Sequence, residues 1–317
     1  MKTLICPLNW GLGHATRCVP IIRQLLADGH EPVVVSDGLP LEFLKQQFPT
    51  LRYIEYPSYP VYYGAGKSQL GAMLFHLPDI LKGILNEHLW LRDLLRSEHF
   101  DRVISDNRFG MWNKNVHTVY ITHQLMVKMP LKLKFLEPLV HALHMKFIKQ
   151  YDECWIPDKQ DKGALSGALS HKYPVPANAS FIGPLSRFKG MQDTLPDTRY
   201  DVVAVISGPE PQRTLFEKDV LNQMKDEGQK ALIVSGQPRS IQNESHIGTV
   251  RIVSHLNDSE LAAVLLGAEK IISRSGYSTI MDLDALGCLH KAEFIPTPGQ
   301  TEQEYLKVFH DINRPVQ

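Results

Sequence analysis

The chain alternates between short apolar runs and amphipathic stretches over most of its length. Residues 3–8, Thr-Leu-Ile-Cys-Pro-Leu, form a continuous apolar run closed by a glycine-containing turn. That is the pattern of a central parallel strand covered on both faces. Over residues 15–27, Val19, Ile22, Leu25 and Leu26 recur at helical spacing, and Gly29 marks the stop. Residues 32–36 read as the next strand. Strand, glycine loop, helix, strand is a right-handed βαβ unit. Further strands are expected at 51–55, 103–105, 119–122, 154–156 and 180–182, and helices over 70–95 and 135–149.

Residues 189–199 are polar, contain Pro196 and show no period, so they read as a linker. A second alternation starts at Asp201. Its strands are expected at 202–207, 231–235, 250–253, 270–273 and 293–295, its helices at 215–227, 259–266, 278–286 and 302–309. Two successive arrays of this kind predict an α/β fold of two Rossmann-like, doubly wound domains facing each other across a cleft. Residues 1–188 form the first domain and 200–317 the second.

Composition narrows the classes of function. The 317 residues fit two domains. Lys and Arg total 34, as do Asp and Glu, so the formal charge is zero, which argues against nucleic acid as a partner. Cys6, Cys18, Cys154 and Cys288 form no C-x-x-C pair. A disulfide framework and a cysteine zinc site are therefore not expected, and a reducing cytoplasm is. No run of 18 apolar residues exists to span a bilayer, and the first apolar run is too short for a signal-peptide core.

In parallel α/β sheets ligands bind at the carboxyl ends of strands, so those loops are the candidate sites. The first is Asn9-Trp-Gly-Leu-Gly-His-Ala-Thr-Arg. Gly11 and Gly13 permit a tight turn, and His14 falls at a helix N-terminus, which keeps an imidazole neutral and able to accept a proton. The dinucleotide fingerprint G-x-G-x-x-G is broken by Thr16 in its third position. Asp106, after the strand at 103–105, could hold the His14 ring in one tautomer, or could simply cap a helix. His123, after the strand at 119–122, could contact substrate or only solvent and backbone. In the second half Ser207 and Gly208 open a loop that holds Arg213, and Ser275 and Gly276 open a helix that carries Thr279 and Asp282. Small residues at helix N-termini suit a diphosphate, and a carboxylate at Asp282 suits vicinal ribose hydroxyls. Glu302 and Gln303 follow the last strand; such a pair suits sugar hydroxyls, or caps the helix it begins.

The loop G-L-G-H, the run R-S-G-x-x-T-x-x-D and the run P-x-P-G-Q-T-E-Q-E together resemble the GT-B glycosyltransferases, the MurG-like family and the UDP-glycosyltransferases. The resemblance spans nearly the whole chain in element order. It implies a nucleotide-sugar donor in the C-terminal domain and an acceptor in the N-terminal one. It implies Asp282 at the ribose, Ser275, Gly276, Ser207 and Gly208 at the diphosphate, and Glu302 with Gln303 at the hexose. It implies His14 as catalytic base, Asp106 as its carboxylate partner, and Gly11, Gly13 and His123 on the acceptor side. The glycosyltransferases usually continue beyond the last donor helix; this chain stops at Gln317, so that tail is expected to be short or absent.

The expected activity is an inverting transfer of a hexose from a UDP-sugar to an acceptor hydroxyl, with no metal and no cofactor, the UDP-sugar being a co-substrate. No Asp-x-Asp pair lies in the loops that follow the strands. Two other readings share these motifs. The string Gly13-His14-x-x-Arg17-Cys18 is similar to the loop of UDP-sugar hydrolases, in which His14 would activate water. A non-catalytic nucleotide-sugar-binding module would keep the donor loops alone. The acceptor is open, and a lipid-linked or glycan one is expected. Tyr59, Tyr62, Tyr63 and Gly64 lie in an acceptor-loop candidate. Residues 125–150 carry Lys128, Lys132, Lys134, Lys146 and Lys149 against Glu137, with Leu, Met and Phe between. That spacing fits either an interfacial helix meeting anionic lipid at the inner membrane face or a solvated helix over the core.

Overall fold

The computed structural model describes residues 1–58, 76–238 and 244–313. The chain divides into two compact units, Met1–Trp10 with His14–Leu185, and Gly11–Gly13 with Ser186–Gln317.

The first unit carries a seven-stranded parallel sheet. In chain order its elements are β1 (Lys2–Pro7), α1 (Leu12–Ala27), β2 (Glu31–Ser36), α2 (Gly38–Gln47), β3 (Arg52–Glu55), α3 (Leu77–Ser97), β4 (Arg102–Asp106) and β5 (His117–Ile121). A 3₁₀ turn (Leu131–Leu136) then leads into α4 (Glu137–Ile148), β6 (Glu153–Ile156), α5 (Ala168–His171) and β7 (Ala179–Phe181). The strand order is β3-β2-β1-β4-β5-β6-β7. The apolar run at the N-terminus is the central β1, and Leu4, Ile5 and Cys6 are fully buried, as a strand covered on both faces requires. Core packing brings Leu4 and Cys6 of β1 against Val33 and Val35 of β2, Val103 of β4 and Leu91 of α3.

The order reverses between β1 and β4, where Pro7 stands beside Asp106. At such a switch point the loops after the two strands diverge to opposite faces and leave a crevice at their carboxyl ends. His14 and Asp106 belong to those two loops.

The second unit repeats the plan with β8 (Val202–Val205), α6 (Gln212–Glu227), β9 (Ala231–Val234), β10 (Glu244–Ile247), β11 (Val250–Val253), α7 (Asp258–Gly267), β12 (Lys270–Ser273), α8 (Tyr277–Ala285), β13 (Ala292–Phe294) and α9 (Thr301–Ile312). Its order is β10-β11-β9-β8-β12-β13. All neighbours are parallel except β10 on β11, an exposed antiparallel edge. Here the switch point falls between β8 and β12, with Val205 beside Ser273. Asn257 caps α7 in a full capping box: its side chain accepts from Glu260 N at 2.9 Å, and Glu260 accepts from Asn257 N at 3.1 Å.

Some elements depart from the sequence reading, the short α5 among them. Helix α2 was not expected; its Pro40 lies in the first turn, where a missing N–H has no partner to lose. Strand β10 is polar and exposed at every position, so it has no apolar pattern to announce it. The helix expected over 135–149 is observed as Glu137–Ile148, preceded by the 3₁₀ turn. The helix expected over 70–95 is observed from Leu77, and the residues before 76, with Tyr59, Tyr62, Tyr63 and Gly64, lie outside the described ones.

Candidate functional site

In the first unit four side chains meet at the switch point. His14 lies in the first turn of α1, Arg17 one turn later on the same face, Asp106 at the end of β4, and His123 just after β5. His14 Nδ1 is 3.2 Å from Asp106 Oδ1. Arg17 grips both carboxylate oxygens, donating from Nε to Oδ2 at 2.5 Å and from Nη2 to Oδ1. The same Nη2 is 2.8 Å from His14 Nδ1, and Nη1 is 3.3 Å from His123 Nδ1. Cys18 Sγ approaches Asp106 Oδ2 at 3.9 Å.

Asp106 and Arg17 are buried. Burial alone would raise the Asp106 pKa, but the charge of Arg17, with His14 beside it, holds the carboxyl below its usual range. Burial lowers the pKa of His14, and Arg17 acts in the same direction against the pull of Asp106. His14 is therefore a neutral imidazole at neutral pH.

The loop that presents Asp106 is held from several sides. Asn107 takes a left-handed φ of 58° and accepts from Tyr120 Oη at 3.0 Å. Ser105 Oγ donates to Arg108 O at 2.7 Å, and Tyr151 Oη donates to the same carbonyl at 2.6 Å. Arg108 donates through Nε to buried Glu87 at 2.8 Å. Gly110 passes so close to α3 that a Cβ would stand 2.3 Å from Ile84 O.

The second unit gathers its loops around Arg274, the residue after β12. Arg274 Nη1 donates to Pro296 O at 2.8 Å and to Ile295 O at 3.3 Å, and Nη2 donates to Gln212 O at 3.2 Å. Its guanidinium lies 4.0 Å from the centroid of the Phe216 ring, and burial lowers its pKa to about 10. One cation thus joins the loops after β8, β12 and β13. Ser275 Oγ donates to Gln303 O at 2.7 Å, and the Gln303 side chain accepts from Thr297 N at 2.8 Å. Gly276 is the N-cap of α8, so the first-turn N–H groups of that helix open at the Ser-Gly loop. Gly208, after β8, takes a φ of 114°, which a side chain would strain.

No family profile matches the chain. An uncharacterised glycosyltransferase of Methanosarcina acetivorans is 26% identical over 340 residues, which cover 96% of this chain and 82% of that protein. Among solved structures, the spinosyn rhamnosyltransferase SpnG, in complex with thymidine diphosphate, superposes with a TM-score of 0.59 at 14% identity, over 98% of this chain and 89% of its own. Arabidopsis thaliana UGT89C1, in complex with UDP-L-rhamnose, gives a TM-score of 0.55 at 12% identity, over 97% and 82%. The chain is thus similar to a glycosyltransferase over nearly its whole length and has the GT-B fold.

The GT-B resemblance was carried by residues that the structure treats differently. His14, Asp106 and His123 come together, joined by Arg17, whose part was missed. The sequence signal for Arg17 was its place in the string Gly13-His14-x-x-Arg17-Cys18, three residues after His14. Gly11 immediately precedes α1 and Gly13 lies in its first turn. In the second unit Ser275 and Gln303 are brought together, Ser207, Gly208 and Gly276 stand on the strand-end loops, Thr279 lies in the first turn of α8, and Glu302 lies in the first turn of α9 beside Gln303. Arg213 is turned inward: it bonds Glu210 at 2.6 Å, Glu217 at 2.5 Å and Ser235 O at 3.2 Å, so two carboxylates already match its charge. Asp282 is buried against Ser186, whose Oγ donates to it at 2.6 Å, with Arg187 Nε 3.5 Å away. Burial raises the Asp282 pKa to about 6, against the pull of Arg187. Ser186 and Arg187 could not be found from sequence, since 96 positions separate Ser186 from its partner.

Proposed function

We propose that the protein is an inverting, metal-independent glycosyltransferase that moves a hexose from a UDP-sugar to an acceptor hydroxyl. The observation that carries this reading is the contact between His14 Nδ1 and the buried Asp106 carboxylate at the carboxyl ends of β1 and β4. His14 takes the proton of the acceptor hydroxyl as the oxygen attacks the anomeric carbon. A new carbon–oxygen bond forms on the face opposite the diphosphate, the bond to the phosphate oxygen breaks, and UDP leaves with that electron pair. Asp106 stabilises the imidazolium as it forms.

Donor binding belongs to the second unit. The N-terminus of α8 at Ser275 and Gly276, with the loop at Ser207 and Gly208, meets the diphosphate, so charge developing on it is received by N–H groups already in place. Asp282 serves the ribose hydroxyls, and Glu302 with Gln303 the hexose. Support comes from neighbours of the same fold in complex with thymidine diphosphate and UDP-L-rhamnose.

The acceptor is proposed to be lipid-linked or a glycan. A lipid-linked one is supported by the 3₁₀ turn and α4, where Leu131 is 88% and Phe135 74% exposed, with Leu139 and Leu143 exposed in series at four-residue spacing. Glu137, the one acidic residue of 125–150, is buried and receives Lys172 Nζ at 2.6 Å, so the lysines dominate the exposed charge of this segment.

The test is UDP release from UDP-sugars with and without acceptor alcohols. Transfer predicts release that depends on acceptor and falls ~10²–10⁴-fold in His14→Ala. Rapid release of free sugar without acceptor would favour the hydrolase reading, in which His14 activates water. No release from any UDP-sugar would end the proposal.

A further inference from the structure

We infer that Arg17 is a positioning residue that sets the tautomer of His14. The inference rests on the reading of His14 as the base. An arginine has five N–H donors and cannot accept a hydrogen bond. Its donors face these partners here: Nε–H meets Asp106 Oδ2, one Nη2–H meets Asp106 Oδ1, Nη2 stands 2.8 Å from His14 Nδ1, and Nη1 stands 3.3 Å from His123 Nδ1. A nitrogen receiving an N–H must offer its lone pair. At 2.8 Å from the guanidinium, His14 Nδ1 is the acceptor and the ring proton sits on Nε2.

The competing arrangement puts the proton on Nδ1 and donates it to Asp106 Oδ1, 3.2 Å away. In that arrangement two hydrogens, one from Arg17 and one from His14, crowd the same short gap. A base that works at Nε2 needs this second tautomer, because only then does Nε2 carry the lone pair. Arg17 and Asp106 therefore pull His14 toward opposite tautomers through one nitrogen. Arg17 lies nearer, and it also spends part of the Asp106 charge on its own two bonds. The fraction of molecules with a free Nε2 lone pair is set by the planar fork of Arg17, which a lysine would not reproduce.

The test reads the tautomer directly, by long-range proton–nitrogen correlation of histidine rings in the ¹⁵N-labelled full chain at pH 8. The His14 signals are identified by their loss in His14→Gln. The wild type is expected to show His14 protonated on Nε2. In Arg17→Lys and Arg17→Met the ratio of Nδ1–H to Nε2–H is expected to rise about tenfold or more, the effect of one lost charge-assisted hydrogen bond. A wild-type His14 protonated on Nδ1, or a ratio unchanged in a folded Arg17 variant, overturns the inference. If neither variant folds, the wild-type spectrum still decides it. No turnover enters this measurement. An inactive protein with the expected tautomer response would defeat the transferase proposal and leave the role of Arg17 standing.

Discussion

His14 and Asp106 reach opposite answers to the same burial. The imidazole loses its charge, being pressed by a neighbouring guanidinium, while the carboxylate keeps its own because that guanidinium holds both of its oxygens. The pH dependence follows from the signs. For His14 the folded pKa lies below the unfolded one, so the unfolded chain binds more protons, and stability from this group is lost as pH falls below about 6.5. Asp106, also lowered, adds a loss at more acid pH. Turnover is expected to hold down to a pH below the ordinary histidine value, and its acid limb should disappear in His14→Ala; a kcat profile with its acid limb above 7 contradicts this. Asp282 runs the other way. Its pKa of about 6 favours the protonated form, so UDP should bind more weakly as pH drops through 6, and calorimetric titration at pH 5 and pH 7.5 measures it. At this scale the sequence exposed the individual chemical groups but not their pairing. The glycine loop marked His14, yet nothing in it told that Arg17 would contest the nitrogen that Asp106 holds, and Ser186 was invisible as the partner of Asp282.

Secondary elements were legible mostly where burial imposes a pattern. Central strands such as β1, β4 and β12, with buried apolar residues in succession, were found within one or two residues; β10, exposed at every position, was not, nor was α2, although it buries Leu41, Phe43 and Leu44. The loop after β4 shows what elements contribute to the site. The buried Glu87–Arg108 pair ties α3 to that loop, at whose start Asp106 stands. Glu87→Gln leaves Arg108 without its counter-charge and is expected to destabilise the fold by about 3–5 kcal/mol, read by urea unfolding. A second prediction concerns the 3₁₀ turn and α4. Vesicles containing anionic lipid should sediment the protein at low salt, and Leu131→Gln with Phe135→Gln should abolish this without lowering the Tm, since both side chains are exposed. Unaltered sedimentation in the double variant, or none in the wild type, removes the case for a lipid acceptor.

At the scale of the whole molecule, each unit uses the same device, a doubly wound sheet whose strand order reverses once, with candidate chemistry on the loops at that reversal. Topology was readable because two arrays of alternating strands and helices leave few ways to wind; the distribution of charge inside each site was not, because it depends on contacts between residues far apart in the chain. For the proposed transfer the second unit must bind a nucleoside diphosphate sugar. Calorimetric or thermal-shift titration of the full chain with UDP-, TDP- and GDP-sugars tests this most directly. A saturable rise in Tm with a uridine donor, about 2.7 kcal/mol of added stability at a hundredfold excess over Kd, is the result predicted. No shift with any of these nucleotides at millimolar concentration would contradict it.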